Sequence, residues 1–224
     1  MFHIITMNLA FALILANTFM ILSDINQIKE NHDLCTLVSF GLNLFYVATA
    51  AFVLFLAFAL FLATTSGIIG GYTGIYLSLG WGLAFLAFGL NVWTNLDLMG
   101  DDPRCMIGYE NESKYLFLFL VLGFALSAFV LMLIVLCNLH TSALRKRIFV
   151  EELSSLAQGM AFFSILFALN WSWFPLAYFE LSNWELPDFY PAFQILNSWI
   201  GVFAFIGLGL GSKRFRSVLT KGRK

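Results

Sequence analysis

At 224 residues, 60% hydrophobic and 11% charged, with a mean hydropathy of +0.85, the chain does not have the composition of a water-soluble domain, because average soluble domains carry about 25% charged residues. Its 26 Phe, 7 Tyr and 6 Trp exclude disorder, a formal net charge of −1 leaves no footprint for nucleic acid, and three Cys are too few to staple a disulfide scaffold. What remains is an all-α, polytopic membrane helix bundle over residues 1–211 with a basic tail over 212–224.

A bilayer core of roughly 30 Å takes about 20 apolar residues as a helix, and uncharged runs of that kind predict six spans, at 4–22, 35–63, 74–96, 114–139, 153–179 and 189–211. The first carries Asn8 and Asn17. It has no basic region ahead of it, only Met1-Phe2-His3, and so does not read as a cleaved signal peptide. The second opens on Cys35 and holds Asn43 and Thr49; Gly70-Gly71 then marks a short turn, with no Lys to make it a phosphate loop. Asn8 and Asn43 read as interhelical glue. In the third span Gly80-Trp81-Gly82 sets two glycines around an aromatic, a pattern for close packing, and Asn91 follows.

The connection after it contains Cys105 and the glycosylation sequon Asn111-Glu112-Ser113, which lies hard against the fourth span. The fourth span carries Ser127 and, near its far end, Cys137; the basic stretch Leu144, Arg145, Lys146, Arg147 follows. The fifth holds Gln158, Ser164 and then Asn170-Trp171-Ser172-Trp173-Phe174-Pro175. A Pro removes one backbone hydrogen bond and crowds the carbonyl a turn earlier, here at Trp171, so a bend is expected there. Read alone, that bend is architecture; the alternative is a moving part, with Trp171, Trp173 and Phe174 at its joint. The sixth span holds Gln194, Asn197, Ser198 and Gly201, where the glycine permits close contact or a second flexure. In the tail, Phe215, Val218 and Leu219 fall on one helical face among basic residues, which suits a short amphipathic helix on anionic membrane lipid.

Charge sorts sharply between the two sides. The first, third and fifth connections hold three basic residues against eleven acidic ones, whereas the second and fourth connections and the tail hold nine basic against two acidic. Lys and Arg favour the cytoplasmic side. Both termini are therefore expected in the cytosol and the acidic loops outside. Cys35 and Cys105 share the acidic side, where an oxidising exterior lets them pair; the alternative is two small buried residues.

All of the Lys, Arg, Asp and Glu residues fall in connections, tails or span ends. Intramembrane ionisable groups mark ion paths, proton relays and catalytic centres, so their absence argues against an ion-coupled carrier and against an intramembrane protease. His3, His32 and His140 are too scattered for a metal site or a Ser/His pair. No enzymatic activity, metal or cofactor is expected.

The order of features resembles the membrane domain of adhesion-type G-protein-coupled receptors, within the secretin-like superfamily. Asn8-Leu9-Ala10 is similar to that family's second helix, Gly80-Trp81-Gly82 to its fourth, Leu169-Asn170-Trp171 to its sixth, and Ile195-Leu196-Asn197-Ser198 with Gly201 to its seventh. The six spans would then correspond to helices two to seven, with the first helix of the family missing. Departures fall at Leu56, Met106, Phe119-Leu120 and Ile200, where the family carries Glu, Trp, Gly-Pro and Gln.

The resemblance implies a disulfide from Cys35 to Cys105 and a plasma-membrane receptor for an extracellular or tethered peptide ligand. It implies a pocket floor at Trp171, Trp173 and Phe174 facing a hinge at Asn197 and Gly201. Outward motion about Trp171 and Pro175 would open a cytoplasmic cavity, lined by Leu144, Arg145, Lys146 and Arg147, for a heterotrimeric G protein. The competing reading is a non-signalling membrane protein, either a facilitative pore or a partner of another receptor chain.

Overall fold

Lipid offers no partner for backbone polar groups, so long apolar runs are stable only as helices or closed barrels. The computed structural model describes residues 2–66, 72–95, 105, 113–141, 148–178, 195–197 and 199–202, and among these it contains helices and no strand. The helices are α1 (Phe2–Leu22), α2 (Asn26–Lys29), α3 (His32–Thr65), α4 (Thr73–Asn95), α5 (Ser113–Thr141) and α6 (Ile148–Tyr178). Residues 195–197 and 199–202 are helical as well.

Helix α3 is the axis of the bundle, packed against α1, α4, α5 and α6. Six consecutive residues, Ala48, Thr49, Ala50, Ala51, Phe52 and Val53, are all buried. A helix can bury successive residues only when neighbours surround it. The small side chains at Ala48, Ala50, Ala51, Ala57 and Ala59 let those neighbours come close, the usual basis of helix packing in lipid. Asn31 caps α3, its side chain accepting from the Leu34 N–H at 3.2 Å, and Asp33 in the first turn complements the helix dipole.

The outer helices bury one stripe each. On α1 the stripe is Ile5, Leu9, Ala12, Leu13, Ala16 and Met20, and the opposite face presents Ile4, Met7, Phe11, Ile14 and Ile21. A helix apolar on both faces is one that meets protein on one side and lipid on the other. Helix α5 does the same with Phe117, Val121, Ala125, Ala128, Met132 and Val135 inward, and Phe119, Leu126, Val130 and Leu133 outward. Alignment of α1 with α3 depends on Gly41, where an added Cβ would stand 2.5 Å from the Phe19 ring. Nothing in the sequence singled out that contact.

Four helices are long and apolar enough to cross a membrane among the described residues: Phe2–Leu22, His32–Thr65, Thr73–Leu90 and Phe119–Leu139. They coincide with the first four expected spans. Helix α6 covers 153–178 of the fifth expected span and has a described apolar stretch at Leu156–Trp171. The sixth is represented by the helical residues 195–197 and 199–202, its remainder lying outside the described residues. The tail 212–224, Leu144, Arg145, Lys146, Arg147 and Asn111 also lie outside them. Helix α2 is an addition to the sequence reading: the first connection coils into a short turn instead of running as a plain loop, with Lys29 paired to Asp24 at 3.8 Å.

Candidate functional site

The interior has no charged residue among its described buried side chains, and polarity is supplied by amides and hydroxyls. Three of these polar groups meet at Asn197, which is 1% exposed. Its Nδ2 donates to the Tyr46 hydroxyl of α3 and to Asn17 Oδ1 of α1 at 3.4 Å, and its Oδ1 accepts from Asn170 Nδ2 of α6 at 3.1 Å. An amide NH2 has two hydrogens to give, and Asn197 gives both. One side chain thus ties its own helix to three others, through bonds that lipid cannot replace.

Directly beside this knot lies Trp171, fully buried. Its ring meets Tyr46 edge-on at 4.8 Å between centroids and Phe117 of α5 at 5.7 Å, with Phe167 at 6.1 Å one turn back along α6. Edge-to-face pairs at such separations add about 0.5–1.5 kcal/mol each beyond the area they bury. Tyr46 therefore acts twice, its ring against Trp171 and its hydroxyl against Asn197. Any rotation of α6 that moves Trp171 also works on the Asn170 to Asn197 bond, because the two residues are adjacent.

Helix α6 continues past Pro175 to Tyr178. The side chains of Trp173, Phe174 and Pro175 lie outside the described residues, as do Gln194 and Ser198. Gly201 sits near α1, where an added Cβ would come 3.7 Å from Asn17 Nδ2. That is ordinary van der Waals contact, so among the described residues space alone does not demand glycine there.

A second aromatic cluster centres on Trp81. Its Nε1–H donates to Asn8 Oδ1 at 3.0 Å, while Asn8 Nδ2 donates to the Ile4 carbonyl of its own helix at 2.9 Å. Phe52 meets the indole at 5.4 Å and Phe11 meets it at 6.2 Å, so α1, α3 and α4 share one ring cluster. The two flanking glycines differ. A Cβ at Gly80 would come 2.5 Å from Phe52, whereas one at Gly82 would meet nothing within 4 Å. Among the described residues, then, Gly80 packs against a neighbour, whereas Gly82 is exposed and meets none.

Cys35 and Cys105 are joined by a disulfide with their Cα atoms 4.8 Å apart, and both are fully buried. Cys105 adopts a left-handed backbone with φ 49, which side chains other than glycine seldom take. The bond anchors the connection between α4 and α5 onto the start of α3. Cys137 is exposed on α5.

Asn43 departs from the glue reading, and Thr49 makes no bond across helices either. Asn43 is fully buried, yet neither amide atom has a partner among the described residues. Thr49 turns back onto the Phe45 carbonyl of its own helix at 2.7 Å instead of reaching across. Sequence reasoning also missed Tyr46 and Phe117. The available signal for Tyr46 was its place one turn along from Asn43 in an otherwise apolar helix. No cluster of His, Cys, Asp and Glu among the described residues would hold a metal ion.

Over residues 2–204 the chain matches the family model described as 7 transmembrane receptor (Secretin family). No curated protein matches it.

Proposed function

Because the chain belongs to the secretin family of seven-transmembrane receptors, we propose that it is an adhesion-type receptor bundle whose helices correspond to the family's second to seventh and whose signal is a movement of α6. Both termini lie in the cytosol of a plasma-membrane protein on this reading. An extracellular or tethered peptide acts from the disulfide side, and a heterotrimeric G protein engages residues 144–147. The observation that carries it is the position of Trp171, caged by Tyr46 and Phe117 with Asn170 bonded to Asn197 next to it. A ligand that turns the indole breaks an aromatic cage and an interhelical bond together, which makes the rearrangement two-state instead of gradual. Trp171, Trp173, Phe174 and Pro175 are the moving part, Asn197 and Gly201 the facing hinge, and the disulfide the fixed end.

The test is Trp171→Ala in a chain carrying a seven-helix bundle, with agonist-dependent G-protein activation in cells as the readout. Loss of the response with surface expression retained supports the switch, and an unchanged response rejects it.

A non-signalling partner of another receptor chain is the second reading. The apolar outward face of α1, with Met7 71% and Ile14 64% exposed, is what favours it. Co-precipitation with an intact receptor, combined with silence in the activation assay, would decide for it. A facilitative pore needs a continuous polar stripe through the bundle, whereas the bonded amides of Asn17, Asn170 and Asn197 form a local knot.

A further inference from the structure

Ser39, Asn43 and Tyr46 are spaced i, i+4, i+7 on α3, a spacing that puts them on one face of the helix. All three are buried to within 1%. Tyr46 points its hydroxyl into the Asn197 knot. One and two turns toward the disulfide, the Asn43 amide and the Ser39 hydroxyl have no hydrogen-bond partner among the described residues, and neither does Asn170 Oδ1 on α6.

Most hydroxyls of the molecule are satisfied otherwise, Ser164 being the other buried exception among the described residues. Thr18, Ser23, Thr49, Thr64 and Thr65 all turn back onto carbonyls of their own helices, the ordinary way a hydroxyl is satisfied in lipid. Ser39 makes no such bond. A dry, orphaned amide is among the costliest groups to bury, and Asn43 presents both a donor and an acceptor at one point. The species that satisfies a donor and an acceptor together, carries no charge and is small enough to lie between packed helices is water. Buried water is held by two to four polar partners; Asn43 Nδ2, Asn43 Oδ1 and Ser39 Oγ supply them, with Asn170 Oδ1 on the facing helix.

We propose that Ser39 and Asn43 form a buried hydration site that extends the Asn197 knot outward along α3 toward the disulfide. The site stands whether or not the chain signals. Water here continues a neutral hydrogen-bonded column from the outer end of α3 to mid-bundle.

Radiolytic hydroxyl labelling of the full chain in lipid nanodiscs tests this, after rapid mixing into heavy-oxygen water, with mass spectrometry to locate the label. Bound water exchanges slowly and should place light oxygen on the buried rings of Tyr46 and Trp171, which bulk solvent does not reach. Asn43→Leu should abolish that label, whereas Asn43→Ser, which keeps a polar group, should retain it. Absence of label on both rings in the unaltered chain overturns the site without recourse to any variant. Label that persists in Asn43→Leu also overturns it. Neither outcome bears on receptor activity, which is read separately by the Trp171→Ala assay.

Discussion

Replacing Asn197 by Ala is the sharpest probe of the buried knot. The substitution deletes three bonds, to Tyr46, Asn17 and Asn170. Interhelical side-chain bonds in lipid average about 0.6 kcal/mol, with a ceiling near about 1.7, so three of them amount to about 2 kcal/mol. The deletion also strands Asn170 Nδ2 inside the bundle, where Asn170 is 5% exposed, and an unsatisfied buried donor costs about 1–3 kcal/mol. A loss of about 3–5 kcal/mol is expected in reversible unfolding from mixed micelles. Two single changes should rank below it. Tyr46→Phe keeps the ring on Trp171 and removes one bond, for about 0.6 kcal/mol. Asn17→Ala removes the longest bond from a half-buried position and should cost still less. A double-mutant cycle between Asn170→Ala and Asn197→Ala should then return a coupling of about 0.6–1.7 kcal/mol. If Asn197→Ala stays within about 0.5 kcal/mol of the unaltered chain, the ordinary range for surface changes, the knot does not hold the helices together.

Gly80→Ala should lower Tm measurably while Gly82→Ala leaves it unchanged, because only the first methyl group meets Phe52; equal effects from both would contradict the packing. Gly41→Ala should likewise destabilise through Phe19, and a second change of Phe19→Leu should recover part of the loss. Cys35→Ser with Cys105→Ser opens a loop of separation 70; loop-closure entropy sets an upper bound of about 4 kcal/mol, and a Cys35 to Cys105 linked peptide should be found by mass spectrometry only under non-reducing conditions. Trp81→Phe keeps an aromatic ring among Phe11, Phe45 and Phe52 but loses the donor to Asn8, so a cost of about 0.6 kcal/mol is expected.

Membrane helices announce themselves in sequence because lipid imposes one requirement over some twenty residues, and the starts and ends of α1, α3, α4 and α5 fall within a few residues of the uncharged runs. Asn8, Asn170, Trp171 and Asn197 were legible for a related reason: an amide or indole in an apolar span is an exception that needs a partner. Which partner it finds is a different matter. The place of Tyr46 one turn along from Asn43 marks it out only faintly in a span rich in Phe, and its role follows from rotation of α3 relative to α6, which no stretch of either helix encodes alone. The same holds for the glycines. Gly80 and Gly82 look alike in sequence and differ only because helical rotation turns one toward Phe52 and the other away. Asn43 shows the converse: the residue type was correctly noticed, while the partner it was expected to bond was absent from the described neighbours.

Helix α3 runs for 34 residues. At 1.5 Å per residue that is a rod of about 51 Å, set in a hydrocarbon layer of roughly 30 Å. Even a tilt of about 40°, the upper end of what transmembrane helices adopt, shortens its projection only to about 39 Å. Part of α3 must therefore stand in the headgroups or the water, and its ends are dressed for it, with His32 and Asp33 at one and Thr64, Thr65 and Ser66 at the other. The helix that passes Asn43 and Tyr46 at mid-bundle is thus a single strut longer than the hydrocarbon layer is thick. A push on the disulfide at one tip has an unbroken mechanical route to the opposite rim.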